Sequence, residues 1–187
     1  MTIKNNFFVI TGGPSSGKTT VAQALQQEGY AYVEEVARDL LKEKGAAGVD
    51  IALYRNTPEF VEIEFERSLN NYMQAQEKYP DAITFFDRGI VDVLMYARFR
   101  HIPISDYMHQ TALTHRYNKI VFIAPPWRAI YRLDKERIEP YEEAVRIFHM
   151  NELVYQEYGY TLVELPLTTI EDRITFIIKT LKDHSYL

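Results

Sequence analysis

Residues 7–20 read Phe7-Phe8-Val9-Ile10-Thr11-Gly12-Gly13-Pro14-Ser15-Ser16-Gly17-Lys18-Thr19-Thr20. The apolar run at 7–11 has the length and composition of a strand covered on both faces. Gly12 to Thr19 then satisfies G-x-x-x-x-G-K-[ST], and the pattern after it predicts a helix over 18–28, ended by Gly29. A loop of this spacing turns backbone N–H groups toward an anion at a helix N-terminus, where the helix dipole also favours negative charge. Pro14 has no N–H, so the expected donors are Gly13, Ser15, Ser16, Gly17, Lys18 and Thr19, with Gly12 opening the turn. Lys18 is expected to reach the β- and γ-phosphates of a nucleoside triphosphate, and the Thr19 hydroxyl to ligate Mg²⁺. Thr20 closes the nucleotide-binding stretch, although its side chain serves the helix. An ordinary glycine turn is the competing reading; the strand before the loop and the helix after it argue against that.

Outward from this segment, short β-rich runs alternate with longer helical patterns, which predicts βαβ units and a parallel sheet. Five strands are expected, at 7–11, 30–34, 82–86, 119–124 and 160–165. Thr57 followed by Pro58 reads as an N-cap with proline at the first helical position, opening a helix that runs to about Tyr79 and stops at Pro80. Thr168-Thr169-Ile170-Glu171 has the form of a capping box, and Ile170, Ile174, Ile177, Ile178 and Leu181 follow at helical spacing. Residues 45–49 read as a short loop. At 187 residues there is room for one domain. The expectation is an α/β three-layer fold with a five-stranded parallel sheet in the order 2-3-1-4-5. A helical acceptor region would occupy roughly 50–116, and a lid roughly 126–139.

Composition excludes several classes. Apolar residues are 47% and charged residues 25%, which argues against disorder. The absence of cysteine removes disulfides, thiolate nucleophiles and cysteine metal sites. Twenty-one basic against 26 acidic residues give a net charge of −5, which disfavours nonspecific nucleic-acid binding while leaving room for a local anion site. The longest apolar stretch, 120–127, contains two prolines and falls short of the roughly 18–20 residues needed to span a bilayer. The apolar run at 7–10 is too short for a secretory signal, so a cytoplasmic location is expected. Five histidines are scattered without metal-ligand spacing.

Three further groups carry chemistry. Asp87 and Arg88 follow the third apolar run, where a carboxylate beside the phosphate loop holds Mg²⁺ and an arginine contacts acceptor or transferred phosphoryl oxygens. Glu34 and Glu35 end the second expected strand, with Arg38 three residues beyond Glu35, so that one glutamate faces the acceptor unless the turn is merely solvated. Arg128, Arg132, Lys135 and Arg137 lie among Asp134 and Glu136, a local charge of +2 that leaves −7 for the rest of the chain. This suits a lid that brings cations over the γ-phosphate; the competing reading is a solvated helix paired through Arg132 and Glu136. Tyr54, Tyr72 and Tyr96 are candidates to stack on an acceptor ring.

With GGPSSGKTT, EEVAR, FFDRG and APPW leading to RLDKERIE, nearly the whole chain resembles the NadR-like P-loop family of AAA-type ATPase/kinase domains. That family is similar to nicotinamide riboside kinase and, more distantly, to deoxynucleoside and thymidylate kinases. The resemblance implies a catalytic-base role for Glu35, places the family's E-x-A-R on Glu35, Ala37 and Arg38 and its D-R on Asp87 and Arg88, and matches its lid pattern to Asp134 and Arg137. It implies ATP, with GTP as the alternative, and a small hydroxyl-bearing acceptor of unspecified identity. Asn118-Lys119-Ile120-Val121 lacks the aspartate of the guanine-reading N-K-x-D motif, and the length leaves no room for a ring-forming motor. A small-molecule kinase or a nucleotide-dependent switch with slow hydrolysis remains. Which of Glu34, Glu35 and Asp87 is the base stays open, as does the oligomeric state.

Overall fold

The computed structural model describes residues 2–133 and 139–187. Its main sheet is wholly parallel and contains β2 (Phe7–Gly12), β3 (Ala31–Val33), β4 (Thr84–Asp87), β6 (Ile120–Ala124) and β7 (Thr161–Glu164), arranged in space as β3-β4-β2-β6-β7. Numbered among themselves along the chain, these five follow the expected order 2-3-1-4-5. A second small sheet pairs β1 (Thr2–Ile3) in parallel with β5 (His115–Arg116). It was not expected from the sequence, because two-residue strands are too short to show a period.

β2 lies at the centre, with Val9 opposite Phe86 on one side and Val121 on the other. Successive strand side chains point to opposite faces, so the run Phe7-Phe8-Val9-Ile10 fills two cores. Phe7 and Val9 join Phe86 and Val121 beneath α4 (Pro58–Lys78), α5 (Ile90–Phe99) and α7 (Tyr141–Glu157). Phe8 and Ile10 join Phe85 and Phe122 against α1 (Lys18–Gln27) and α8 (Ile170–Asp183). Each such large apolar side chain contributes about 1.5–3 kcal/mol on burial. The three layers therefore follow from an uninterrupted apolar strand. Three further helices, α2 (Val36–Ala46), α3 (Ile51–Tyr54) and α6 (Asp106–Thr114), complete the helical cover on the first face.

Helix starts follow their caps. Thr57 accepts the Phe60 N–H at 3.2 Å, with Pro58 at the first position, as expected for α4. For α8 the N-cap is Thr169, which accepts from Asp172 N–H at 3.3 Å, while Thr168 donates to the Asp172 carboxylate at 2.7 Å. The N-cap expected at Thr168 thus forms one residue later, at Thr169, and Asp172 accepts from the Thr168 hydroxyl rather than closing the reciprocal half of a box. The strand expected at 30–34 is shorter, because Glu35 is already the N-cap of α2 and Glu34 lies in the connection. The strand expected at 82–86 starts at Thr84, since the Ala82 carbonyl is taken by the Asn6 amide at 2.8 Å. Gly45, expected in a loop, lies inside α2. Among the described residues no helix is long and apolar enough to cross a membrane.

Candidate active site

β2 ends at Gly12, whose φ is +131° and whose position admits no side chain, since a Cβ would fall 2.3 Å from the Ala124 carbonyl oxygen of β6. The loop leaves the sheet there and enters α1 through Gly17, at φ +86°. Lys18 folds back within the loop: its Nζ donates to the Gly13 carbonyl at 2.7 Å, and Ser16 Oγ donates to the same oxygen at 2.9 Å. Burial, and next the Arg88 charge, push the Lys18 ammonium down to about 8, against the pull of Asp87, Glu35 and Asp92. The first N–H groups of α1 have no partner within the helix, so the loop offers a row of donors beside a buried cation. Ser15 Oγ donates to the Arg132 carbonyl at 2.5 Å, tying the loop to the segment expected as a lid.

β4 delivers Asp87 beside this loop. Thr19 Oγ1 donates to Asp87 Oδ2 at 2.6 Å, and Asp87 Oδ1 is buried with no hydrogen-bond partner among the described residues. Burial, and next the Glu35 carboxylate, push Asp87 up to about 6. A buried carboxylate oxygen without a donor, next to a hydroxyl, is a donor set that fits a hard divalent cation. Arg88 follows at φ +72°, a left-handed conformation that costs a non-glycine residue about 1–3 kcal/mol. That turn sends its guanidinium back across the site. Nε donates to Glu35 Oε1 at 2.6 Å, and Nη1 donates to the Gly12 carbonyl at 3.1 Å and to Asp92 Oδ1 at 3.3 Å. Burial opposes the Arg88 charge, but Glu35, Asp92 and Asp87 more than offset it and hold the guanidinium above its ordinary value.

Asp92, in the first turn of α5, is a hub that sequence reasoning missed. It accepts from Thr11 Oγ1 at 2.5 Å, Tyr155 OH at 2.6 Å and Gly89 N–H at 2.8 Å, besides Arg88. A lone aspartate inside the apolar run GIVDVLMYA was the available signal.

One cleft of about 640 Å³ joins the loop, Glu35, Arg88 and Asp92, while Asp87 lines a second, smaller pocket with Glu34, Glu64 and Arg88. The lining of the larger cleft runs from Thr168–Ile170 and Trp127, over the loop from Pro14 to Thr20, to Glu35, Arg38 and Arg88, and ends among Arg55, Phe60, Glu64 and Tyr96. Of the two glutamates, Glu35 lines this cleft, whereas Glu34 is exposed. Glu64 occupies the apolar stripe of α4 four residues after Phe60, which was its sequence signal. It is 5% exposed, and Oε2 has no hydrogen-bond partner among the described residues. Burial pushes its carboxyl up to about 8. Arg55 pairs with the buried Glu139. Arg100 pairs with Glu143 at 2.5 Å.

The tyrosine candidates separate. Tyr96 lines the cleft; Tyr54 packs edge-on to Phe60; Tyr72 is buried against Phe7 and Tyr117, with its hydroxyl on the Arg116 carbonyl at 3.0 Å, and stands in the core. Of the expected lid, residues 128–130 form a turn and 131–133 have no regular structure, in place of the competing helix over this stretch, and the exposed Arg132 lines the cleft. Asp134, Lys135, Glu136 and Arg137 lie outside the described residues.

The AAA domain family model matches residues 7–173. Among curated proteins, none matches the chain in sequence. Solved structures match its fold over most of its length. Deoxyadenosine kinase from M. mycoides with bound dATP is 14% identical with a TM-score of 0.63, covering 94% of this chain and 98% of that one. NadR in complex with NR is 19% identical with a TM-score of 0.68, covering 95% of this chain and 50% of that one. Shikimate kinase from Acinetobacter baumannii in complex with shikimate is 15% identical with a TM-score of 0.57, covering 95% and 93%. At such identities the likeness is one of fold.

Proposed function

The chain belongs to the AAA domain family, and from that premise we propose that it is a P-loop phosphotransferase. It transfers the γ-phosphoryl group of Mg-ATP, with GTP the alternative donor, to a small hydroxyl-bearing, nucleoside-like acceptor. The observation that carries this reading is the cleft in which the phosphate loop and the Glu35–Arg88 pair share one lining. An NTPase without an acceptor needs no such extension beyond its phosphate site. The names of the matched kinases, which act on or bind nucleosides and shikimate, support the same reaction class.

The triphosphate is held by the loop amides from Gly13 and Ser15 to Thr19, with Lys18 exchanging the Gly13 carbonyl for phosphate oxygens. Thr19 and Asp87 would hold Mg²⁺, which would supply neutralisation of charge on the β- and γ-phosphates. The acceptor hydroxyl oxygen attacks the γ-phosphorus, the bond to the β–γ bridging oxygen breaks, and the hydroxyl proton passes to Glu35. Arg88 fixes that carboxylate through its 2.6 Å hydrogen bond. Glu35 is assigned as the base in preference to Glu34 and Asp87: it lines the cleft, whereas Glu34 is exposed and Asp87 accepts from Thr19, and this supports the reading. The whole chain works as one domain, with residues 50–116 supplying the helical acceptor side and residues 126–139, including Arg132 and Arg137, closing over the phosphates.

The test is a screen of nucleosides, nucleotides and nicotinamide riboside for acceptor-stimulated ADP release and for a phosphorylated product. Stimulation by a hydroxyl-bearing compound, with one product formed per ADP, is expected. Slow hydrolysis indifferent to every acceptor would replace the kinase reading by a nucleotide-dependent switch.

A further inference from the structure

Arg173, four residues after the Thr169 cap of α8, is among the largest fully buried side chains of the protein, at 2% exposure. Its Nε donates to the Pro166 carbonyl at 2.8 Å and its Nη1 to the Ser16 carbonyl of the phosphate loop at 2.9 Å. Its guanidinium lies 5.0 Å from the centre of the Trp127 ring. Nη2 is buried without a hydrogen-bond partner, and no carboxylate among the described residues forms an ion pair with it. Burial lowers its pKa, with no neighbouring charge contributing. The other buried arginines of the cleft differ, since Arg88 has Glu35 and Asp92, and Arg55 has Glu139.

A buried ion without a counter-ion costs several kcal/mol, and a neutral residue of similar volume would fill the same space. The charge is explained if its counter-ion arrives with the ligand. Arg173 lines the cleft and grips the loop on which the triphosphate rests. Gly17, the next residue of that loop, would bring a Cβ within 3.2 Å of Nη1, so the guanidinium is packed directly against the backbone turn. In a trans peptide, holding the Ser16 carbonyl toward Arg173 sends the Gly17 N–H to the opposite side.

We infer that Arg173 is a positioning residue for the phosphate loop whose missing counter-charge is the polyphosphate of the bound nucleotide. The inference rests on nucleotide binding at the loop and not on the identity of any acceptor. Polyphosphate binding would then tighten the contact between α8 and the loop, and the Trp127 face would report it.

Inorganic tripolyphosphate is the probe, because it carries the charge without a base. Binding to the full chain is measured calorimetrically for wild type, Arg173→Lys and Arg173→Met. The expected result is a loss of about 10- to 100-fold in affinity for Arg173→Met, as for losing a charge-assisted bond, with partial recovery in Arg173→Lys. A purely structural Arg173 would lower the melting temperature of the free protein and leave the tripolyphosphate-induced rise in melting temperature unchanged, which overturns the inference. Should Arg173→Met fail to fold, the unaltered protein decides: Trp127 is its one tryptophan, and its emission should change on saturation with tripolyphosphate. Unchanged emission, or no binding by the wild type, also overturns it. Absence of acceptor phosphorylation in the presence of normal tripolyphosphate binding would strike the kinase reading alone.

Discussion

Consider the replacement of Glu64 by glutamine, which preserves shape and removes the titration. Burial lifts the Glu64 carboxyl from its ordinary 4.5 to about 8. Between those values the folded protein holds a proton that the unfolded chain has released. Stability from this group is therefore complete below pH 4.5 and is lost as pH rises toward 8. One proton costs about 1.4 kcal/mol per pH unit in that window. At pH 7 the wild type thus bears a penalty of about 3 kcal/mol that Glu64→Gln escapes, rising to about 5 kcal/mol at pH 8 and above. Urea denaturation of both proteins at half-unit steps from pH 6 to 9 measures the gap. It should widen by about 1.4 kcal/mol per unit up to pH 8 and then level off, with unchanged slopes in urea. A gap that stays constant from pH 6 to 8 would refute the argument, because a carboxyl ionised throughout, or one that water reaches, gives parallel curves.

Lys18→Ala removes the mobile cation of the loop, and equilibrium binding of Mg-ATP and Mg-GTP should weaken severely; wild-type affinity for either nucleotide would count against the donor site. Glu35→Gln should lower acceptor-dependent turnover on the order of 10² to 10⁴, read as product formed per second at saturating ATP, whereas full turnover would move the base to another group. Gly12→Ala must displace β6, because its Cβ would lie 2.3 Å from a backbone oxygen; thermal melting should show a loss of about 3 kcal/mol or more. Arg137→Ala should reduce kcat by no more than roughly 10³ to 10⁵ while nucleotide Kd stays within a few fold. Arg132→Ala should act in the same sense but less strongly, and unchanged kcat in both would remove the lid role.

The parts of the site readable from the sequence are those whose chemistry needs neighbouring residues. A phosphate loop uses consecutive backbone amides, so Gly12 to Thr19 announced itself, as did Asp87 and Arg88 at the end of an apolar strand. The central sheet was legible because Phe7 to Ile10 must be covered on both faces. Glu64, Asp92, Arg55 and Arg173 were not singled out, since a polar residue in an apolar helical stripe shows its purpose only when its distant partners are known. Asp92 meets Thr11 and Tyr155 across 81 and 63 residues. The cap of α8 slipped by one residue because adjacent threonines, each followed three residues later by an acid, satisfy the same pattern. The left-handed turn at Arg88 had no glycine to mark it, although that turn aims the guanidinium at Glu35.

The Asp92 hub bears on how this protein comes into being. Thr11 is made early in synthesis, Arg88 and Asp92 midway, and Tyr155 late, yet all converge on one carboxylate. Contacts of such sequence separation form slowly. A nascent chain on the ribosome carries its phosphate loop long before α7 can dock and fix the aspartate behind it. The strand–loop–helix unit therefore emerges ahead of the scaffold that orients Arg88, and the aspartate behind the loop gains its last donor only when Tyr155 arrives.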